Sequence, residues 1–99
     1  MSEQEQRKYP RLECNKSAQM DWSDRTYLGT VVNLSVVADG HMHICMRFDG
    51  TFPHADLDDE CSLLLLDEND PYPYVYAAKV IRVSPNRIVL DILTMHLSL

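Results

Sequence analysis

The most regular part of the chain is the stretch His41-Met42-His43-Ile44-Cys45-Met46-Arg47-Phe48. Every second side chain, from Met42 to Phe48, is apolar, and the side chains between them are histidine, cysteine or arginine. A period of two is typical of a β-strand that buries one face and leaves the other in water. We therefore predict a strand over residues 42–48, with the two methionines, Ile44 and Phe48 facing a core.

Segments on both sides of this strand have the composition or the alternation of further strands. Each is rich in branched, aromatic or alternating apolar residues and is bounded by turn residues such as Asp49-Gly50 or Ser84-Pro85-Asn86. Including the first, the predicted strands cover residues 12–20, 27–34, 42–48, 61–66, 74–83 and 87–93.

One of these assignments is ambiguous. In residues 56–67 the apolar side chains Leu57, Cys61, Leu64 and Leu65 fall at helical spacing, but Cys61 to Leu66 is also a short apolar run bounded by acidic residues. We favour a strand because the neighbouring segments are all strands. Six short strands predict an all-β fold, a small six-stranded antiparallel β-barrel, since closure removes exposed sheet edges.

Size and charge restrict the classes of function. A chain of 99 residues fits one domain, and its net charge of −6 argues against DNA or RNA as a partner. No apolar run approaches the ~18–20 residues that cross a bilayer, so we expect no membrane insertion. The first residues are polar and acidic, unlike a signal peptide, and the three cysteines form no C-x-x-C pair. These features predict a cytoplasmic protein with reduced thiols.

The charge is unevenly distributed. Residues 56–70 contain seven acidic residues and no basic one, whereas residues 1–16 contain four basic residues against three acidic ones. An anionic ligand is therefore expected at the N-terminal side.

Two polar motifs flank the first predicted hairpin. Arg7 and Arg11 lie four residues apart just before strand 1, and Asn33 and Ser35 lie near the end of strand 2, followed by Gly40 in a turn. A guanidinium can clamp a phosphate with two parallel hydrogen bonds, and it can donate to the O6 and N7 edge of guanine. At period two, Asn33 and Ser35 share a face, so an amide and a hydroxyl stand side by side. Together these groups suit a ligand with phosphates and guanine edges.

The order of these motifs resembles the PilZ family, whose better-known members bind the bacterial second messenger cyclic di-GMP. Members carry an R-x-x-x-R segment and a (D/N)-x-S-x-x-G segment on a small β-barrel, and the resemblance covers nearly the whole chain. It implies a flexible leader over residues 1–11 that closes over the nucleotide, a barrel domain over residues 12–99, and a receptor without cofactor or catalysis that signals to an unidentified protein partner. The implied ligand-binding residues are Arg7, Arg11, Asn33, Ser35 and Gly40.

The chain departs from this family pattern at one position. The glycine of the second segment would fall at residue 38, where the chain has Ala38, and Gly40 follows two residues later. The alternative is therefore a degenerate PilZ-like adaptor that binds a protein partner and not the nucleotide.

His41, His43 and Cys45 offer a second alternative because they share one face of strand 3 and are good ligands for zinc or copper. No second half-site accompanies them in the sequence, so we predict no metal site. No orienting group or oxyanion site accompanies a cysteine–histidine pair either, so we predict no enzymatic activity.

Overall fold

The computed structural model describes residues 11–37, 40–66 and 74–97. Within these ranges the chain forms no helix and six strands, which confirms the predicted all-β fold. The strands pair only in antiparallel fashion and close into a barrel in the order β1-β2-β3-β6-β5-β4, with β4 returning to β1. Their bounds are β1 Arg11–Trp22, β2 Arg25–Val36, β3 Met42–Arg47, β4 Glu60–Leu65, β5 Tyr74–Ser84 and β6 Arg87–Leu97.

The core fills the inside of the barrel with apolar side chains from all six strands. Strand β3 contributes Ile44 and Met46, and Phe48 follows it, as the alternation of residues 42–48 predicts. Met42 is partly buried and packs against the same cluster. The largest strand side chains that are almost completely buried come from all six strands: Met20, Val31, Ile44, Met46, Leu63, Val80, Ile88 and Leu90.

The ambiguous segment is a strand. β4 pairs with β1 on one side and with β5 on the other, and Leu63 at its centre is completely buried. Leu57, which would lie on the apolar face of a helix, is exposed and precedes the strand.

The first hairpin has a two-residue turn at Ser23 and Asp24, whose φ angles are 53° and 60°. Two positive φ angles are the mark of the type I′ turn, whose twist matches that of antiparallel strands. This tight turn lets β1 run to Trp22 and β2 begin at Arg25, so both strands are longer than the sequence predicts.

The register shifts by one residue in four strands, β1, β2, β5 and β6, and the shifts in β2 and β5 lie on either side of the β3–β6 pair. In β2, Val31 pairs with Met46 and Asn33 pairs with Cys45, which leaves Val32 as a bulge. In β5, Val80 pairs with Leu90 and Arg82 pairs with Val89, which leaves Ile81 as a bulge. A bulge shifts every later side chain of its strand to the opposite face relative to unbroken alternation. After each bulge, side chains that unbroken alternation would direct into the core lie on the outer face, and side chains that it would direct outward lie in the core.

The predicted flexible leader falls almost wholly on residues 1–10, which lie outside the described residues. Arg11 is the first residue of β1. Among the described residues, we find no helix of the length and apolar character that a membrane crossing requires.

Candidate functional site

A pocket of about 420 Å³ lies on the outer face of the barrel, across five neighbouring strands. It brings together three of the five predicted ligand-binding residues, namely Arg11, Asn33 and Ser35. We call this cavity the outer-face pocket. The described residues that line it are Arg11, Asn33, Ser35, His43, Cys45, Ile81, Arg82, Ser84, Arg87 and Val89.

Strand register explains why the predicted residues meet. Arg11 of β1 pairs directly with Ser35 of β2, so the arginine lies beside the hydroxyl without any rearrangement of the barrel. Asn33 is two residues away on the same strand and the same face, and Leu34 between them packs against the core. The predicted shared face of Asn33 and Ser35 is thus observed.

The bulge at Val32 is what turns this face outward. Tyr27 and Val31 belong to the core cluster, and unbroken alternation from them would direct Asn33 and Ser35 inward as well. Because Val32 is an extra residue, Asn33 and Ser35 instead line the outer-face pocket.

Of the other two predicted ligand-binding residues, one lies outside the described residues and the other lies outside the pocket. Arg7 lies outside the described residues. Gly40 is described and has a φ of +79°, and its amide donates a hydrogen bond to the carbonyl oxygen of Val37 at 2.9 Å. It belongs to the β2–β3 connection and does not line the outer-face pocket.

The sequence analysis missed two arginines of the pocket. Arg82 follows the Ile81 bulge in β5, and Arg87 begins β6 after the β5–β6 turn. Counted by alternation from Val80, Arg82 would point into the core, so the alternation alone assigns it to the wrong face. The available signal was the arginine itself, since an unpaired charge is not tolerated in a small apolar core.

The outer-face pocket is strongly positive for an acidic protein. Among the described residues, three arginines and one histidine line it, and no carboxylate does. Within the described ranges, Arg11, Arg82 and Arg87 form no ion pair. Uncompensated guanidinium groups around a concavity attract an anion, and they match phosphate and carboxylate geometry.

Two carboxylates lie beside the pocket by register. Glu13 pairs with Asn33 across β1 and β2. The other is Asp91, which pairs with His43 across β3 and β6. Its Oδ1 atom lies 3.2 Å from Nδ1 of His41 and 3.5 Å from Nε2 of His43. This carboxylate is therefore engaged by the two histidines, on the side of the pocket away from Arg87.

The histidines and cysteine of β3 do not form a metal site in the part of the chain that the structure describes. No group of three or more histidine, cysteine or acidic side chains there has an arrangement that could hold a metal ion. Cys45 instead forms part of the pocket floor, where it is buried between its strand partners Asn33 and Val89.

No protein-family model matches this sequence, and no curated protein is significantly similar to it.

Proposed function

We propose that this protein is a receptor for cyclic di-GMP that binds the nucleotide in the outer-face pocket and signals to a protein partner. The single observation that carries the proposal is that Arg11, Asn33 and Ser35 meet in one positive concavity, although they come from two separate motifs of the chain. The order of these motifs resembles that of the PilZ family. The proposal includes a cytoplasmic location and no catalytic step.

The chemistry of the pocket suits this ligand. Arg11 supplies a fork of donors for a phosphodiester or for the O6 and N7 edge of guanine. Asn33 supplies two donors and an acceptor, and Ser35 supplies a hydroxyl that both donates and accepts, so both suit base edges and ribose hydroxyls. The half-buried setting of Asn33 and Ser35 favours their hydrogen bonds to a ligand over those to water.

Arg7 is the second arginine of the proposed site. It lies four positions before Arg11, whose position beside Ser35 is fixed by strand pairing. We propose that Arg7 closes over the nucleotide once it is bound, and that the resulting change in the N-terminal surface is what a partner protein recognises.

Calorimetric titration with cyclic di-GMP tests the proposal. We expect saturable binding by the wild-type protein and a loss of about 1.5–3 kcal/mol in Arg11→Ala, the usual contribution of a hydrogen bond to a charged group. Arg25→Ala is the matched control, because Arg25 is also an exposed arginine but lies outside the outer-face pocket. Its affinity should equal that of the wild-type protein.

If the titration showed no heat of binding at high micromolar nucleotide, and the nucleotide did not change the melting temperature, the proposal would be refuted. If a protein partner were then recovered with the wild-type chain, the alternative of an adaptor that binds a protein and not the nucleotide would replace it. That alternative agrees with the position of Gly40, two residues later than in the family pattern.

A further inference from the structure

We infer that Arg82 and Arg87 form a second anion-binding wall of the outer-face pocket, which takes a phosphate group on the side opposite Arg11. This inference rests on the proposed function for the identity of the ligand. The phosphate-binding wall itself rests on the positions of the two arginines. We call Arg82 and Arg87 the β5–β6 wall.

The β5–β6 wall faces Arg11 across the floor of the pocket. Asn33, Cys45, Val89 and Arg82 follow one another in a single lateral row over strands β2, β3, β6 and β5. With neighbouring strands about 4.8 Å apart, Arg82 lies three strand spacings from Asn33, and Arg11 lies on β1, beyond β2 on the other side. The two ends of the pocket are therefore both lined by arginine.

Arg82 and Arg87 are close enough to act on one anion. Arg82 pairs with Val89, and Arg87 is two residues before Val89 on the same strand and the same face. Such diagonal neighbours have Cα atoms about 7–8 Å apart, within reach of long side chains. Ser84, which pairs directly with Arg87, lies beside the same wall, and its hydroxyl donates a hydrogen bond to the backbone carbonyl oxygen of Arg87 at 3.4 Å.

The ligand-free wall has unfavourable electrostatics. Arg87 pairs directly with Arg47 across β3 and β6, and like charges opposite each other destabilise a sheet. Arg47 is compensated by Asp49, whose Oδ1 atom lies 3.2 Å from Nε of Arg47, whereas Arg87 has no such partner within the described residues. An anion bound between Arg82 and Arg87 would remove this repulsion.

The anion that fits best is a phosphate. Two planar guanidinium groups match its several acceptor oxygens, and arginine is favoured where phosphate is bound by paired hydrogen bonds. A cyclic dinucleotide has two phosphodiesters, so a pocket with arginines at both ends can contact both. The β5–β6 wall would then hold the phosphodiester that Arg11 does not contact.

Calorimetric titration with cyclic di-GMP tests the inference in a series of variants. Arg82→Ala and Arg87→Ala should each weaken binding about tenfold to hundredfold, the equivalent of a hydrogen bond to a charged group. Arg82→Lys should lie between the wild-type protein and Arg82→Ala, because lysine keeps the charge and loses the fork. Arg25→Ala should bind as the wild-type protein does. Both wall arginines are exposed, so circular dichroism should show folded variants.

The outcomes separate this inference from the proposed function. If the wild-type protein binds and the double variant Arg82→Ala with Arg87→Ala binds equally well, the β5–β6 wall is refuted and the proposed function stands. If the wild-type protein does not bind cyclic di-GMP, the proposed function fails. In that case the melting temperature with inorganic pyrophosphate tests the β5–β6 wall. A rise in the wild-type protein and not in the double variant supports the wall, and no rise in either protein refutes it.

Discussion

Replacing Gly29 with alanine should destabilise the barrel more than its small size suggests. Gly29 lies in β2 opposite Ala18 of β1, where the backbone comes close to the end of β3. A Cβ atom built on Gly29 would lie 2.6 Å from the carbonyl oxygen of Arg47 and 3.0 Å from side-chain carbons of Met46 and Phe48. The glycine is therefore required by close approach and not by a special backbone angle.

The steric cost determines the sign of the change. The two side-chain carbons can shift by a few tenths of an ångström, but the carbonyl of Arg47 belongs to the β2–β3 ladder and cannot move without lengthening its hydrogen bonds. Overpacking of a core costs about 1–3 kcal/mol. Alanine restricts the unfolded chain and recovers only about 0.4–1 kcal/mol. We expect Gly29→Ala to lower the free energy of unfolding by about 1–2 kcal/mol, the difference between these two contributions.

Urea unfolding followed by circular dichroism measures this change, with Gly50→Ala as the matched control. A Cβ atom on Gly50 meets nothing within 4 Å, and its φ is not positive, so only the effect on the unfolded chain remains. Gly50→Ala should therefore be neutral or slightly stabilising. If Gly29→Ala were as stable as Gly50→Ala, the close approach of β2 to the end of β3 would be refuted.

Two further predictions concern a buried thiol and the first hairpin. Burial, and then the charge of Asp59, raises the pKa of Cys61 from 9.0 to about 11. Because the thiol loses its proton at lower pH in the unfolded chain than in the folded one, the free energy of unfolding should fall as pH rises through this range. The fall should be larger in the wild-type protein than in Cys61→Ala. Urea titrations at pH 8 and pH 10 that gave the same fall in both proteins would contradict this. Replacing Ser23 with asparagine and Asp24 with glycine should stabilise the protein by up to about 1 kcal/mol, because both φ angles are positive. A lower melting temperature would show that Ser23 and Asp24 make a contact that stabilises the protein by more than the removal of their backbone strain does.

The alternation along the chain predicts the strands well wherever one face is buried and the other is wet. Residues 42–48 show this best, and their apolar side chains do face the core. Strand ends are harder to predict because the residues there leave the core. β6 was predicted to end at Leu93 but runs to Leu97, since an extra residue at Leu93 interrupts the alternation and hides its continuation.

The site was predictable only where two motifs lie on paired strands. Arg11, Asn33 and Ser35 could be associated because a hairpin brings the start of β1 to the end of β2. Arg82 and Arg87 could not, because they belong to strands that are distant in sequence and because the Ile81 bulge inverts the face of Arg82. The sequence shows that these arginines are present, but the register of the strands determines which side of the barrel each of them faces.

The outer-face pocket exists because β2 and β5 break their alternation on either side of the β3–β6 pair, which is regular from His43 to Arg47 and from Arg87 to Asp91. β3 and β6 pair residue by residue across the floor, and they place Cys45 and Val89 on the outside with Ile44 and Leu90 in the core. The flanking strands β2 and β5 each contain a bulge, which increases local twist and redirects the polar side chains that follow it. Without the bulge in β5, Arg82 would enter the barrel as an unpaired buried charge, at a cost that a domain of this size cannot offset. The arginine and the bulge therefore require each other, and the positive wall of the pocket follows from the same register that keeps the core apolar.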